Sequence, residues 1–99
     1  MAKSIDNELT EQLFEAILSL ENKEECYRFF KDLATVSEIV ELSHRLEVAR
    51  MLKMNYTYNE IVDKTGVSTT TVSRVKRALE YGEDGYNLIL ERLGYTEEK

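Results

Sequence analysis

Apolar residues recur through the first part of the chain at the three- and four-residue spacing of an amphipathic helix. The first predicted helix runs from about Asp6 to Leu20. Its principal apolar face is formed by Leu9, Leu13, Ile17 and Leu20. Phe14 and Leu18 widen this face, so more of the helix circumference is apolar than a solvent-facing helix requires.

The second predicted helix runs from Lys23 to about Ala34. Asn22 is followed three residues later by Glu25, which is the spacing of a capping box. In a capping box, the side chain of each residue accepts the backbone N–H of the other. The apolar positions that follow keep helical spacing and are Cys26, Phe29, Phe30 and Leu33. Cys26 is the only cysteine, which excludes an internal disulfide, and its place on this face predicts a buried structural thiol.

Thr35 and Glu38 repeat the capping-box spacing and predict the start of a third, longer helix. It continues to about Met54, and Asn55 is expected to end it. One face carries Ile39, Leu42, Leu46 and Ala49, and further apolar residues lie to the sides.

Two short helices joined by a glycine turn are predicted between Thr57 and Tyr81. Thr57 and Glu60 form another capping box, Gly66 supplies a left-handed residue after the first helix, and Ser68 caps the second. The buried stripe of the second helix is expected to consist of Val72, Val75 and Leu79. This arrangement, at about residues 57–81, is typical of a helix-turn-helix that reads DNA.

The opposite side of the second helix carries hydroxyls near its start and basic side chains farther along. Small hydroxyls allow close approach to base edges, and arginine can pair with phosphate or guanine. The candidate DNA-binding residues are therefore Ser68, Thr69, Thr70, Thr71, Ser73, Arg74, Lys76 and Arg77. A hairpin with an ordinary basic solvated face is the plainer interpretation of the same residues.

The chain is predicted to end with a sixth helix, in which Asp84 is the cap and Gly94 follows the last turn. No proline, linker or repeat interrupts the 99 residues. The expected fold class is thus all-α, with six helices in a single domain covering residues 1–99.

The net charge of −6 is unevenly distributed. Residues 44–81 hold 7 basic and 4 acidic side chains, a net charge of +3, whereas residues 1–43 carry −6 and residues 82–99 carry −3. Positive charge is concentrated in the predicted helix-turn-helix, which favours oriented docking on double-stranded DNA.

The excess of apolar surface on the first three helices and the last predicts a homodimer, since a chain of this length buries little surface alone. A small monomeric bundle is the alternative. The N-terminus lacks the apolar core of a signal peptide and no apolar run reaches 18 residues, so we expect no membrane association and a cytoplasmic, nucleoid-associated protein.

No catalytic or metal-binding pattern is found. His44 is the only histidine, and Ser43 beside it lies about 100° away around the helix, so the two cannot form a nucleophile and base. The sequence therefore predicts that the protein is not an enzyme.

The segment from residue 33 to 81 resembles the tryptophan repressor superfamily. The resemblance is carried by Thr35 at the start of the long helix, Arg45 in SHRLE, and Gly66, Thr71 and Arg74 in TGVSTTTVSR. The phrases ELSHRLEVARML and TGVSTTTVSRVKRALEYG are similar to the Trp-repressor-related proteins of the YerC/YecD group. The resemblance implies an intertwined all-helical dimer that binds a palindromic operator and represses transcription.

The resemblance also implies a ligand pocket formed by Thr35, Arg45, Arg74 and Val75. In the repressor the two corresponding arginines sandwich the indole ring of tryptophan and the threonine helps to hold the amino acid. The glycine that leaves room beside the ring is Val75 here, and a ligand-binding serine is Ala78. We therefore expect no required cofactor; a different small corepressor could be used, but tryptophan binding should be weak or absent.

Two functions from different classes remain after the sequence is considered. The preferred one is a sequence-specific transcriptional regulator, most simply a repressor. The other is a helical interaction module that binds a protein partner through the same basic face. Selection from a random duplex library distinguishes them, because only the regulator should enrich a palindrome.

Overall fold

The computed structural model describes residues 7–95, and within them it contains six α-helices and no strand. The helices are α1 (Glu8–Leu18), α2 (Lys23–Leu33), α3 (Val36–Lys53), α4 (Tyr58–Thr65), α5 (Thr69–Tyr81) and α6 (Gly85–Arg92). The predicted order of six helices is confirmed. The predicted start at Asp6 lies outside the described residues, and α1 ends before Leu20, since the Ser19 hydroxyl and N–H both bond to the Ala16 carbonyl.

The chain divides into two compact units, Met1–Val36 and Ser37–Lys99. The described part of the first unit contains α1 and α2. The second unit contains α3 from its second residue onward, together with α4, α5 and α6.

Asparagine side chains begin both helices of the first unit. Asn7 Oδ1 accepts the Thr10 N–H at 3.0 Å, and Asn22 Oδ1 accepts the Glu25 N–H at 2.9 Å. The reciprocal bond predicted for the capping box of Asn22 and Glu25 is wrong, because the Glu25 carboxylate accepts the N–H of Glu21 at 2.9 Å and not that of Asn22. The carboxylate thus bonds to the residue before the predicted one, and α2 begins at Lys23 as predicted.

The expectation of a buried thiol at Cys26 is also wrong, since this side chain is exposed in the chain. No residue of α1 or α2 is buried. Helical spacing correctly identified the apolar side of α2, but nothing within its own unit covers that side at Cys26.

Asn55 ends α3 as predicted, and it does so in the left-handed conformation with φ of 68°. The N–H of Asn55 bonds to the Leu52 carbonyl and the N–H of Tyr56 bonds to the Met51 carbonyl, each at 3.0 Å. These bonds are the 5→2 and 6→1 pair of a Schellman motif. They turn the chain sharply, so that α4 begins only a few residues later.

The core of the second unit draws on all four of its helices. Its fully or nearly fully buried residues are Val48, Ala49, Met51, Ile61, Val72, Val75 and Leu90. Full burial of such a side chain contributes about 1.5–3 kcal/mol. The predicted inward positions Ile61, Val72 and Val75 are confirmed, whereas Leu79 is only half-buried.

The start of α6 differs from the prediction. Asp84 occupies the cap position but makes no side-chain bond to the helix backbone, because its own backbone is left-handed with φ of 66° and not extended as in an ordinary cap. Its carboxylate instead accepts the Asn87 side-chain N–H at 2.9 Å. Asn87 also donates to the Leu79 carbonyl at 3.2 Å and thereby joins α6 to α5.

Among the described residues, no helix combines the length and apolar character needed to cross a membrane.

Candidate nucleic-acid interface

The capping box that opens α4 is present in full. Thr57 Oγ1 accepts the Glu60 N–H at 3.1 Å, and the Glu60 carboxylate accepts the Thr57 N–H at 2.8 Å. The two bonds satisfy backbone donors that a helix start otherwise leaves unpaired. The helix therefore begins at Tyr58, as predicted.

The turn between α4 and α5 is stabilised by backbone conformation and by one hydroxyl. Gly66 is left-handed with φ of 77°, and its N–H bonds to the Val62 carbonyl. Thr65 Oγ1 donates to the Ile61 carbonyl at 2.7 Å and accepts the Val67 N–H at 3.3 Å. The turn thus needs no bound partner to satisfy these backbone groups.

Ser68 caps α5 as predicted, with its Oγ accepting the Thr71 N–H at 3.1 Å. Val72 and Val75 then bury one side of α5 in the core, next to Ile61 of α4. Since the helix is attached along this side, its opposite side is presented to solvent in a fixed orientation.

The exposed side of α5 brings together most of the predicted DNA-binding residues. Six of the eight candidates are solvent-exposed and face away from the core or lie at the helix start, namely Ser68, Thr69, Thr70, Ser73, Arg74 and Arg77. Thr71 is half-buried, and its hydroxyl accepts a hydrogen bond from Ser68 at 3.2 Å. Hydroxyls therefore lie at the start of the helix and guanidinium groups farther along it.

Arg77 and Lys76, which are adjacent in sequence, differ in their surroundings. The Arg77 guanidinium lies 6.0 Å from the centroid of the Tyr81 ring, one turn along the exposed side. The Lys76 ammonium lies 5.9 Å from the Tyr58 ring of α4, on the flank of the helix. Lys76 is thus exposed but turned away from the row formed by Thr70, Ser73 and Arg77.

A cavity of about 560 Å³ lies between α3 and α5, next to this surface. Three of the predicted pocket residues, Arg45, Arg74 and Val75, line it. Thr35 belongs to the other unit, so its role stays a prediction. Ala78, the residue in place of the repressor's serine, also lines the cavity, and Val75 is almost completely buried.

Sequence reasoning did not assign Glu41, His44 or Tyr86 to this cavity, yet all three line it. Glu41 accepts a hydrogen bond from Arg45 at 2.7 Å, one turn away on α3. The four-residue spacing of the pair was a visible signal, since oppositely charged residues at this spacing meet on a helix. Tyr86 comes from α6 and had no such signal.

A partly buried ion pair on α3 also contacts a lysine of α4. Arg50 donates two hydrogen bonds to Glu47, at 2.7 and 2.8 Å, and Lys64 of α4 lies 3.7 Å from the same carboxylate. The hydrogen bonds from Arg50 lower the pKa of the Glu47 carboxyl, with attraction to Lys64 acting in the same direction and partial burial opposing it. The exposed Lys64 adds a weak electrostatic contact between α4 and α3, and the buried core holds these helices together.

Comparison with known proteins gives a consistent family assignment. Residues 8–94 match the family described as Trp repressor protein. The uncharacterised protein YerC of Bacillus subtilis is 58% identical over 87 residues, covering 88% of this chain and 84% of that protein.

Two crystal structures have the same fold. A TrpR-like protein from Eubacterium eligens superposes with a TM-score of 0.91 and 52% identity, covering 95% of this chain and 97% of that one. A Staphylococcus aureus structure also gives a TM-score of 0.91, with 49% identity and coverage of 98% and 100%.

The six-helix fold of the described residues is thus that of TrpR-like proteins, and the arrangement of α4 and α5 is consistent with a helix-turn-helix. The chain belongs to the Trp repressor family, as the sequence resemblance predicted. The description of this family is that of a repressor, a class of transcriptional regulator.

Proposed function

We propose that the protein is a sequence-specific transcriptional regulator that binds DNA through the exposed side of α5. The observation that carries this proposal is the orientation of α5. Its buried stripe and its Ser68 cap fix the helix so that hydroxyls and guanidinium groups share one solvent-facing side. A rigid helix with small polar residues at its start and arginines beyond them fits a DNA major groove.

Charge supports the same orientation. Residues 44–81 carry a net charge of +3 within a chain of net charge −6. Arg74 and Arg77 form no ion pair in the part of the chain that the structure describes. Both guanidinium groups are therefore available to phosphate or base, while the rest of the protein repels DNA.

We infer that the regulator acts as a homodimer. Large apolar side chains of α1, α2, the first half of α3, and α6 are exposed in the single chain, including Leu9 and Leu18, which are 76% and 83% exposed. A two-fold axis would cover such surface and place two copies of α5 on successive major grooves. Binding to a palindrome that overlaps a promoter would then repress transcription in the cytoplasm.

The DNA-binding surface is tested by Arg77→Ala. Loss of one phosphate contact should weaken binding to every duplex and lower the slope of log affinity against log salt by roughly one unit. Fluorescence anisotropy over a salt series measures both effects. Arg28→Ala, which removes an arginine from α2, is the matched control and should leave the slope unchanged. An unchanged slope for Arg77→Ala would contradict the proposed surface.

We propose further that tryptophan is not the effector and that no cofactor is required. The cavity is lined by Val75 and Ala78, where the repressor has a glycine and a serine, and overpacking of a site typically costs about 1–3 kcal/mol. Glu41 also forms an ion pair with Arg45, whose guanidinium would otherwise contact a ligand. Calorimetry with tryptophan should show no saturable heat; a tryptophan-dependent gain in DNA affinity that Arg45→Ala abolishes would contradict this proposal.

A further inference from the structure

A second cavity, of about 510 Å³, lies on the other flank of α5. We call it the lysine notch, because Lys53 of α3 and Lys76 of α5 both line it. Its other polar lining residues are Asn55, Tyr58, Glu80 and Asn87. Of the residues that line the notch, Lys76 is the one that was also a candidate for DNA contact, and none lines the cavity beside Arg74, which we call the effector cavity.

Lys53 is held in the notch by an uncharged partner. Its ammonium donates to Asn87 Oδ1 at 2.9 Å. Asn87 is itself fixed, since its side-chain N–H groups bond to the Leu79 carbonyl and to Asp84. One of the three ammonium N–H donors is therefore used for orientation, and the others remain for a ligand.

Lys76 is positioned in a similar way from the opposite wall. Its ammonium lies 5.9 Å from the centroid of the Tyr58 ring, within the range of a cation–π contact. Such a contact orients the ammonium without neutralising its charge.

Neither lysine has a carboxylate oxygen within ion-pairing distance in the described part of the chain, although Glu80 also borders the notch. Two positive charges are thus held in one concave site by neutral groups. Lys53 and Lys76 line the same concave site, so an anion there would meet N–H donors from both ammonium groups. We propose that the lysine notch binds a phosphate group, supplied either by a small phosphorylated molecule or by the DNA backbone.

The notch is separate from the effector cavity. Arg74 lines the effector cavity and Lys76 lines the notch, and these residues are roughly 160° apart around α5 at 100° per residue. A ligand in the notch would therefore contact α5 from the side opposite to a ligand near Arg74. The site does not depend on whether the proposed DNA-binding function is correct.

The test is a titration of ¹⁵N-labelled full-length protein with inorganic phosphate, with sodium chloride adjusted to keep ionic strength constant. The amide chemical shifts of Lys53, Asn55, Lys76 and Asn87 should change with phosphate concentration and reach saturation. Chloride alone should not produce these changes. The double variant Lys53→Gln, Lys76→Gln should lose the response. Lys64→Gln, which removes a lysine outside the notch, should retain it. Absence of saturable displacement, or its persistence in the double variant, would overturn the proposal.

A second measurement identifies the source of the phosphate once the site has been shown. If it is the DNA backbone, the double variant should lower the salt slope of duplex binding by about two units, at about 0.9 per contact. If it is a small molecule, a nucleoside monophosphate should reproduce the displacements and the salt slope should not change. If the protein did not bind DNA at all, the phosphate titration would still test the notch. Failure of the DNA-binding proposal and failure of the phosphate-binding proposal are therefore distinguishable.

Discussion

Glu47 of α3 has two charged partners among the described residues, Arg50 on the same helix and Lys64 on α4. It accepts both hydrogen bonds from Arg50, and Lys64 approaches the same carboxylate from α4. The Arg50 guanidinium also lies 5.4 Å from the centroid of the ring of Tyr95, the last described residue. Loss of the Glu47 charge should therefore weaken the Arg50 hydrogen bonds and remove the attraction to Lys64.

The lowered pKa of Glu47 predicts a specific dependence of stability on pH. A carboxyl whose folded pKa is below its ordinary value of 4.5 contributes stability that is present above that value and is lost as pH falls through the folded pKa. Glu47→Gln should thus be less stable than wild type at pH 7, and the difference should shrink below pH 4.5. Urea unfolding at several pH values measures this.

Glu91→Gln is the control for that experiment, since Glu91 is exposed on α6 and forms no ion pair among the described residues. A Glu47→Gln deficit that stayed constant from pH 7 down to pH 3, or that matched the control, would contradict the role given to this carboxylate.

At the scale of elements, the angle between α4 and α5 depends on the turn at Gly66. Its φ of 77° is in the left-handed region, which residues with a Cβ adopt only with strain, while no atom lies within 4 Å of an added Cβ. The requirement for glycine is therefore conformational and not steric.

Gly66→Ala should lower the free energy of unfolding by about 1 kcal/mol, the typical penalty for placing a Cβ in this conformation. Gly85→Ala is a matched control, because that position has equally open space and no left-handed φ. Alanine there should be neutral or stabilising by up to about 1 kcal/mol. Equal effects of the two substitutions in thermal unfolding would show that the turn does not require a left-handed residue.

Local capping chemistry allowed most element boundaries to be predicted. Thr57, Gly66 and Ser68 act within one helical turn, so their residue types suffice to specify α4, the turn and α5. The prediction of a side-chain cap at Asp84 was wrong, because aspartate can either cap a helix or adopt the left-handed conformation. Residue type alone does not decide between the two, and the packing of α6 does.

The candidate site was predictable in part for a related reason. Helical geometry placed Arg74 and Arg77 on the exposed side of α5, but it could not show that Glu41 and Tyr86 meet Arg74 around one cavity, since they belong to other helices. Lys76 was assigned to DNA by its charge alone, whereas its contact with Tyr58 depends on tertiary packing. The prediction that Cys26 is buried was wrong, because helical periodicity identifies the apolar side of a helix but not what covers that side.

For the molecule as a whole, the distribution of apolar side chains matters more than any single contact. The core of the second unit is small, and several leucines remain outside it, including Leu42, Leu88 and Leu93, which are 53%, 49% and 59% exposed. Full burial of an exposed leucine is worth about 1.5–3 kcal/mol. About half of that remains to be gained at each of these positions, so a second copy that covers them stabilises the fold.

Light scattering at micromolar concentration should therefore return about 23 kDa, twice the 11.5 kDa of one chain. Leu18→Glu should shift the mass toward the monomer, because Leu18 is among the most exposed apolar residues. Tyr81→Ser, which alters a side chain that is 78% exposed on α5, should leave the mass unchanged. A wild-type mass of one chain would remove the basis for palindromic recognition.

The central claim is that paired copies of α5 read a specific DNA sequence, and selection from a random duplex library tests it most directly. The wild-type protein should enrich a palindrome whose half-sites are about one helical turn, 10–10.5 base pairs, apart. The same selection with Thr70→Ala should change the preferred base at one position in each half-site. Recovery of sequences without any enriched motif would contradict the claim and favour a protein-binding role for this surface.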